Sequence, residues 1–229
     1  MTGAVYVALD TPDLARAETI ARAVAPHVGG LKLGLEFFMA NGPDGVRRLG
    51  EVGLPVFLDV KLHDIGNTVA GALRALAPLG VAIVNVHAAI GSAALAAARD
   101  ALPPTTALIA VTVLTSFDAA DLAAIGVAAA VPDQVAHFAA QARAAGLQGI
   151  VCSGAEVAAT RAAWPDGLIV VPGLRPAGSA PGDQKRVFTP RSARDAGASI
   201  LVIGRPITAA ADPAAAAAAI GQSLGTATP

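Results

Sequence analysis

Cysteine occurs once in 229 residues, at Cys152, so no disulfide can form within the chain and a reducing, cytoplasmic setting is expected. Aromatic residues amount to 3% and charged residues to 14%. Basic and acidic residues nearly cancel, 16 against 17, which removes the electrostatic footprint of a nucleic-acid binder. No apolar run approaches the roughly 20 residues that cross a bilayer, so no membrane partner is expected. The first residues lack the basic and apolar regions of a signal peptide. Lysine is scarce too: Lys32, Lys61 and Lys185 are the only three. Where arginine supplies most positive charge, such lysines are candidates for work that needs an ammonium. What the chain does hold is apolar residue, 54% of the total, with alanine prominent. That is enough for a single globular domain over 1–229 whose core buries about 70% of the unfolded surface.

Short β-branched runs recur at Ala4–Leu9, Gly30–Leu33, Val56–Val60, Ala82–Val86, Ala107–Leu114, Gly149–Cys152, Leu168–Val171 and Ser199–Ile203. Most are continuously apolar, the pattern of parallel strands covered on both faces. Between them lie alanine-rich stretches of helical periodicity: 13–25, 68–79, 93–101, 132–145, 155–163, 192–196 and 213–224. Thr11-Pro12, Asp133 and Asp212-Pro213 read as helix starts, and Gly80, Gly146 and Gly197 as stops. Eight strand–helix units at this economy predict an α/β fold, a (β/α)8 TIM barrel. A doubly wound open sheet uses the same units, but no Gly-rich dinucleotide turn follows the first strand.

In such a barrel chemistry gathers where the strands finish. The ends read Asp10, Lys32, Asp59 with Lys61, His87, Thr112 with Thr115, Ser153, Gly173 with Arg175, and Gly204-Arg205. The densest cluster runs from Phe57 to Thr68. Strand alternation turns Asp59 and Lys61 to one side and Val60 to the other, and Asp64 follows on the loop. With Asp10 and Lys32 they make an alternating array of carboxylates and ammoniums. Opposite charges about 4 Å apart attract by roughly 4 kcal/mol at an effective dielectric near 20, before desolvation. Flanking carboxylates keep Lys61 charged, and an ammonium can both stabilise a carbanion and give it a proton. Two other readings exist for these residues. One is an ion-pair network that only closes the barrel top. The other is a divalent-metal site of Asp10, Asp59, Asp64 and His87, against which two lysines in the cluster already fill the charge niche.

The other half of the site reads as a phosphate cradle: Gly204-Arg205-Pro206-Ile207 follows strand 8, and a glycine-rich loop from Pro172 to Arg186 follows strand 7. A loop of that length suits a lid, with Arg175 or Gln184 closing over a ligand. His27 and His137 read as surface positions, and Trp164 and Cys152 as packing residues. The sequence sets no obvious base beside Cys152. His87 is a wall or a participant, and His63 has no assigned role.

Taken together, these residues resemble the orotidine 5′-phosphate decarboxylase family. The likeness runs from Val7-Ala8-Leu9-Asp10 through Leu31-Lys32-Leu33-Gly34 to Val202-Ile203-Gly204-Arg205-Pro206-Ile207. Its most specific part is Asp-x-Lys-x-x-Asp-Ile-x-Asn-Thr, Asp59 to Thr68; the first six positions alone are shared with sugar-phosphate decarboxylases and synthases. Val113-Leu114-Thr115-Ser116 and Pro172-Gly173-Leu174-Arg175-Pro176 narrow the match, and Gly66 stands where many members carry proline. The resemblance implies cofactor-free and metal-free loss of CO2 from orotidine 5′-phosphate to give uridine 5′-phosphate in pyrimidine synthesis. It implies that Lys61 protonates C6 while Asp59 and Asp64 orient it. Asp10 and Lys32 would hold the ribose, Thr115 the pyrimidine edge, Gln184 base and phosphate, and Arg175, Gly204 and Arg205 the phosphate. It further implies a homodimer with sites at the interface, Asp64 and Thr68 reaching into the partner's pocket.

Two rivals remain at this level. One is a Mg2+-dependent relative acting on a keto sugar phosphate. The other is a non-catalytic barrel that binds a nucleotide phosphate.

Overall fold

The structure, a computed structural model, describes residues 2–176 and 188–225. Eight strands, β1 (Val5–Ala8), β2 (Gly30–Gly34), β3 (Val56–Leu62), β4 (Ile83–His87), β5 (Ala107–Val111), β6 (Gly149–Val151), β7 (Leu168–Val171) and β8 (Ile200–Ile203), close into a barrel in sequence order. Every neighbouring pair is parallel, and β8 returns to β1 with Val5 beside Leu201. This is the (β/α)8 barrel expected from the continuous apolar runs.

Two layers of apolar side chains follow from strand alternation. Tyr6, Phe57, Ile83, Ile109, Val111, Val170 and Val202 point inward and fill the barrel. Val5, Val7, Leu31, Leu58, Val84, Leu108 and Leu201 point outward and pack beneath the helices. Gly30 makes room for this interior, since a Cβ there would enter the Tyr6 ring.

The outer ring comprises α1 (Leu14–Val24), α2 (Leu35–Gly50), α3 (Gly66–Leu76), α4 (Ser92–Asp100), α6 (Val131–Ala144), α7 (Val157–Ala163), α8 (Pro190–Asp195) and α10 (Pro213–Gly225). Two short extras, α5 (Ala119–Ala124) and α9 (Arg205–Thr208), follow β5 and β8. Asp13 caps α1 by accepting from the Arg16 N–H, and Asp212 accepts from the Ala215 N–H at the start of α10. Asp133 is not the cap expected of it: α6 begins at Val131, with Pro132 in its first turn.

Other boundaries differ from expectation for identifiable reasons. Helix α2 carries Gly42 at φ 58° and Pro43 in its middle, so a turn-like sequence hides a kinked helix that the periodicity does not reveal. The strand expected over 107–114 stops at Val111, while β3 runs two residues beyond Val60. Its pairing with β4 shows how: Leu58 lies beside Val84 and Leu62 beside Val86, so β3 carries a bulge spanning 59–61.

Candidate active site

The bulge sets the centre of the site. Asp59 and Lys61 stand within it, and Lys61 alone among described non-glycine residues has a positive φ, 48°. Such backbone is rare for a lysine and marks a position held by its surroundings. The Lys61 ammonium donates to Asp59 Oδ1 at 2.6 Å, and Lys32 Nζ lies 3.6 Å from Asp59 Oδ2. Lys32 in turn donates to Asp10 Oδ1 at 2.6 Å. The alternating array expected from the sequence is thus physically continuous: Asp10, Lys32, Asp59, Lys61. Gly34 permits its first link, because a Cβ there would collide with the Asp10 carboxylate and crowd the Lys32 ammonium.

Burial grades along this chain of charges. Lys32 is buried and Asp59 nearly so, while the Lys61 side chain stays 31% exposed and Asp10 50%. Burial pushes the Asp59 carboxyl up. The Lys61 and Lys32 ammoniums outweigh it, with hydrogen bonds from Lys61 and Asn85, so its pKa lies below the ordinary aspartate value. Burial, helped by His63 and Lys61, holds the His87 imidazole below its ordinary value against the attraction of Asp59. His87 ends β4 with its ring 5.2 Å from that of His63, which gives His63 a structural neighbour the sequence did not supply.

Asp10, Lys32 and Asp59 open onto a cavity of about 370 Å3 at the carboxyl ends of the strands. Its other wall is Pro172, Gly173, Arg175, Gly204 and Arg205. The expected phosphate residues therefore share one cavity with Asp10, Lys32 and Asp59, while Lys61 joins it only through its ion pair with Asp59. Arg175 is buried, donates from Nη1 to the Leu174 carbonyl at 3.0 Å, and is tied by its backbone N–H to Phe188. Arg205 opens α9, whose first turn hydrogen-bonds back to the Gly204 carbonyl.

Other expected residues stand apart. Thr115 is half-buried on the loop after β5. Asp64 and Thr68 are exposed, and Asp64 accepts from the Ile65 N–H at 2.7 Å without pairing with Lys61. Gln184, along with Lys185, lies outside the described residues. Cys152 and Trp164 are buried in the packing between barrel and helices. Among the described residues no group of three or more His, Cys, Asp or Glu side chains is placed to hold a metal ion, so Asp10, Asp59, Asp64 and His87 do not assemble as ligands. Among them, too, no helix is long and apolar enough to cross a membrane.

Sequence reasoning missed Asn85. It is fully buried in β4, donates from Nδ2 to Asp59 Oδ1 at 2.6 Å, and accepts from the Lys61 backbone N–H at 2.8 Å. The available signal was a polar residue inside an apolar strand, two positions before His87 and so on the same inward face.

Comparison with known proteins gives one consistent result. A family profile described as "Orotidine 5'-phosphate decarboxylase / HUMPS family" matches residues 3–220. A protein of Sphingopyxis alaskensis named orotidine 5′-phosphate decarboxylase is 58% identical across 98% of this chain and 100% of its own. One of Novosphingobium aromaticivorans with the same name is 55% identical over the same shares. The crystal structure of orotidine 5′-phosphate decarboxylase from Lactobacillus acidophilus superimposes with a TM-score of 0.84 at 36% identity, covering 97% of this chain and 99% of that one.

Proposed function

The chain belongs to the orotidine 5′-phosphate decarboxylase / HUMPS family, and on that premise we propose that Lys61 is the group that protonates the substrate. The reaction is loss of CO2 from orotidine 5′-phosphate to give uridine 5′-phosphate in pyrimidine biosynthesis, a carboxy-lyase activity. Its difficulty is the electron pair left on C6 when the C6–carboxylate bond breaks. A proton moving from the Lys61 ammonium to C6 neutralises that pair and leaves a neutral amine. The Asp59 carboxylate, 2.6 Å from Lys61 Nζ, holds the ammonium in place and stabilises its charged form before transfer.

The observation that supports this reading is the continuous array Asp10, Lys32, Asp59, Lys61, whose first three members line one cavity with Arg175 and Arg205. Asp10 and Lys32 bind the ribose hydroxyls, Thr115 meets the pyrimidine edge, and Gln184 bridges base and phosphate. Arg175, Gly204 and Arg205 take the phosphate. Phosphate contacts remote from C6 contribute binding energy that helps order the reacting centre. We read the whole of 1–229 as one catalytic domain working in the cytoplasm, consistent with a single cysteine, the buried Cys152. The working unit is a homodimer in which Asp64 and Thr68 complete the partner's pocket; both are exposed in the single chain, beside Ile65 at 72% exposure.

The deciding experiment follows the ultraviolet absorbance of orotidine 5′-phosphate with purified protein in EDTA. Undiminished conversion is expected. Loss of conversion in EDTA would favour the keto-sugar-phosphate type of chemistry, and binding of uridine 5′-phosphate without any turnover would favour a binding protein.

A further inference from the structure

We infer that Asn85 is a positioning residue for the reaction, one that fixes the backbone of Lys61 and the carboxylate of Asp59 with the two ends of a single amide. The inference rests on Lys61 as proton donor, and adds the element that holds the donor in place.

Three observations converge on it. First, Asn85 is 0% exposed in the interior layer of β4, where an unpaired amide would carry a large desolvation cost. Both ends of the amide are in fact used, and both reach into one bulge of the neighbouring strand: Nδ2 to Asp59 Oδ1 at 2.6 Å, Oδ1 to the Lys61 N–H at 2.8 Å. Second, that bulge is where β3 and β4 fall out of step between Leu58 and Leu62, so the Lys61 N–H has lost the backbone partner a regular ladder gives it. The Asn85 side chain replaces the missing rung. Third, Lys61 is the described non-glycine residue at positive φ, a conformation that persists only where surrounding contacts over-determine it. A leucine or valine at position 85 could neither accept from the Lys61 N–H nor donate to Asp59. Facing the amide are Asp59 and Lys61 from β3, with Lys32 behind Asp59 and His87 two residues along its own strand.

The test compares Asn85→Ala and Asn85→Asp with the parent, measuring kcat, KM and the affinity for uridine 5′-phosphate across a pH series. Asn85→Ala is expected to lower kcat by about 10–100-fold while KM and product affinity stay within about three-fold, because it loosens the donor and not the nucleotide site. Asn85→Asp discriminates further. Protonated, its new carboxyl group can still donate to Asp59 and accept from the Lys61 N–H; ionised, it repels Asp59 and loses the donor. Its kcat is therefore expected to fall as pH rises, along a limb absent from the parent, with product binding unchanged. A parental kcat in Asn85→Ala overturns the inference, as does a parental pH profile in Asn85→Asp. So does loss of product affinity in step with turnover in both variants, since Asn85 would then serve the fold alone. Lys61→Ala separates the two levels. If it keeps turnover, the donor assignment fails; if it is inactive while Asn85→Ala is parental, only the role of Asn85 fails.

Discussion

Lys61 and Asp59 form a 2.6 Å ion pair along a single strand, with Lys61 in left-handed backbone at φ 48°. Such a conformation costs a lysine of order 1–3 kcal/mol. The carboxylate is nearly buried while the ammonium remains partly open, so the pair presents its cationic end and keeps its anionic end in the barrel. The same carboxylate meets Lys32 through its second oxygen, which ties the presented ammonium to the Asp10 side of the cavity.

That geometry separates charge from proton donation. Lys61→Arg keeps a cation near Asp59 but replaces a group that can release a proton with one that cannot at neutral pH. Turnover is expected to fall by at least 10²–10⁴-fold, the range typical of a lost general acid, while uridine 5′-phosphate still binds. Steady-state rates beside calorimetric titration with product check this. Activity within ten-fold of the parent would mean that a positive charge alone suffices there.

The barrel and the Asp59–Lys61 pair were legible because both depend on short-range rules, and Asp10 and Lys32 because each stands near the end of a barrel strand. Continuous apolar runs separated by alanine-rich periodic segments specify eight buried parallel strands, and the i, i+2 spacing of Asp59 and Lys61 puts both on one face. What escaped depends on contacts distant in sequence or on backbone that residue type does not announce. Asn85 shows in the sequence only as a polar residue in an apolar strand, and its task emerges when its partners, 24 and 26 positions earlier, come alongside. The left-handed turn at Lys61 has no propensity signal at all, because lysine carries none for it. Helix α2 escaped for the opposite reason: Gly42-Pro43-Asp44-Gly45 carries a strong local turn signal, and the chain obeys it with a kink and then continues as helix. Asp64 and Thr68 match the family motif, yet in the single chain they face outward; a motif fixes spacing along the chain, not which copy's pocket a side chain serves.

Acid should destabilise the fold in two separable steps. His87 has its folded-state pKa below its ordinary value of 6.5, so between those two values the unfolded chain binds more protons. Its stabilising contribution is complete above the ordinary histidine value and is lost as pH falls through the window beneath it. Asp59 has the same sign in a lower window: its contribution is complete above the ordinary aspartate value and is lost as pH falls through the depressed folded value. Urea midpoints between about pH 8 and about pH 3 should therefore drop in the histidine range and again in the carboxylate range. In His87→Gln the upper step should shrink and the lower remain. Parallel curves for parent and variant in the histidine range would remove His87 from this account.

The proposal that two copies share each site can be tested by mixing two inactive chains. In the single chain Asp64 turns its carboxylate to the Ile65 N–H, away from any pairing with Lys61. Ile65 is exposed and, with Asn67 and Ile90, bounds an open groove of about 950 Å3 between α3 and α4. An exposed isoleucine beside an exposed motif aspartate fits a surface that a second copy covers. If each site takes Lys61 from one copy and Asp64 from the other, a hybrid of Lys61→Ala and Asp64→Ala contains one doubly altered site and one unaltered site. With random pairing half the dimers are hybrids, so about a quarter of parental activity should return on mixing. Each variant alone should be inactive or nearly so, and the recovered activity should keep the parental KM, because the restored sites are chemically parental. Sites built within single chains would give no recovery, since every site would then keep one of the two substitutions. Verification that hybrids form, by differently tagged chains recovered together, makes that negative outcome decisive against a shared site.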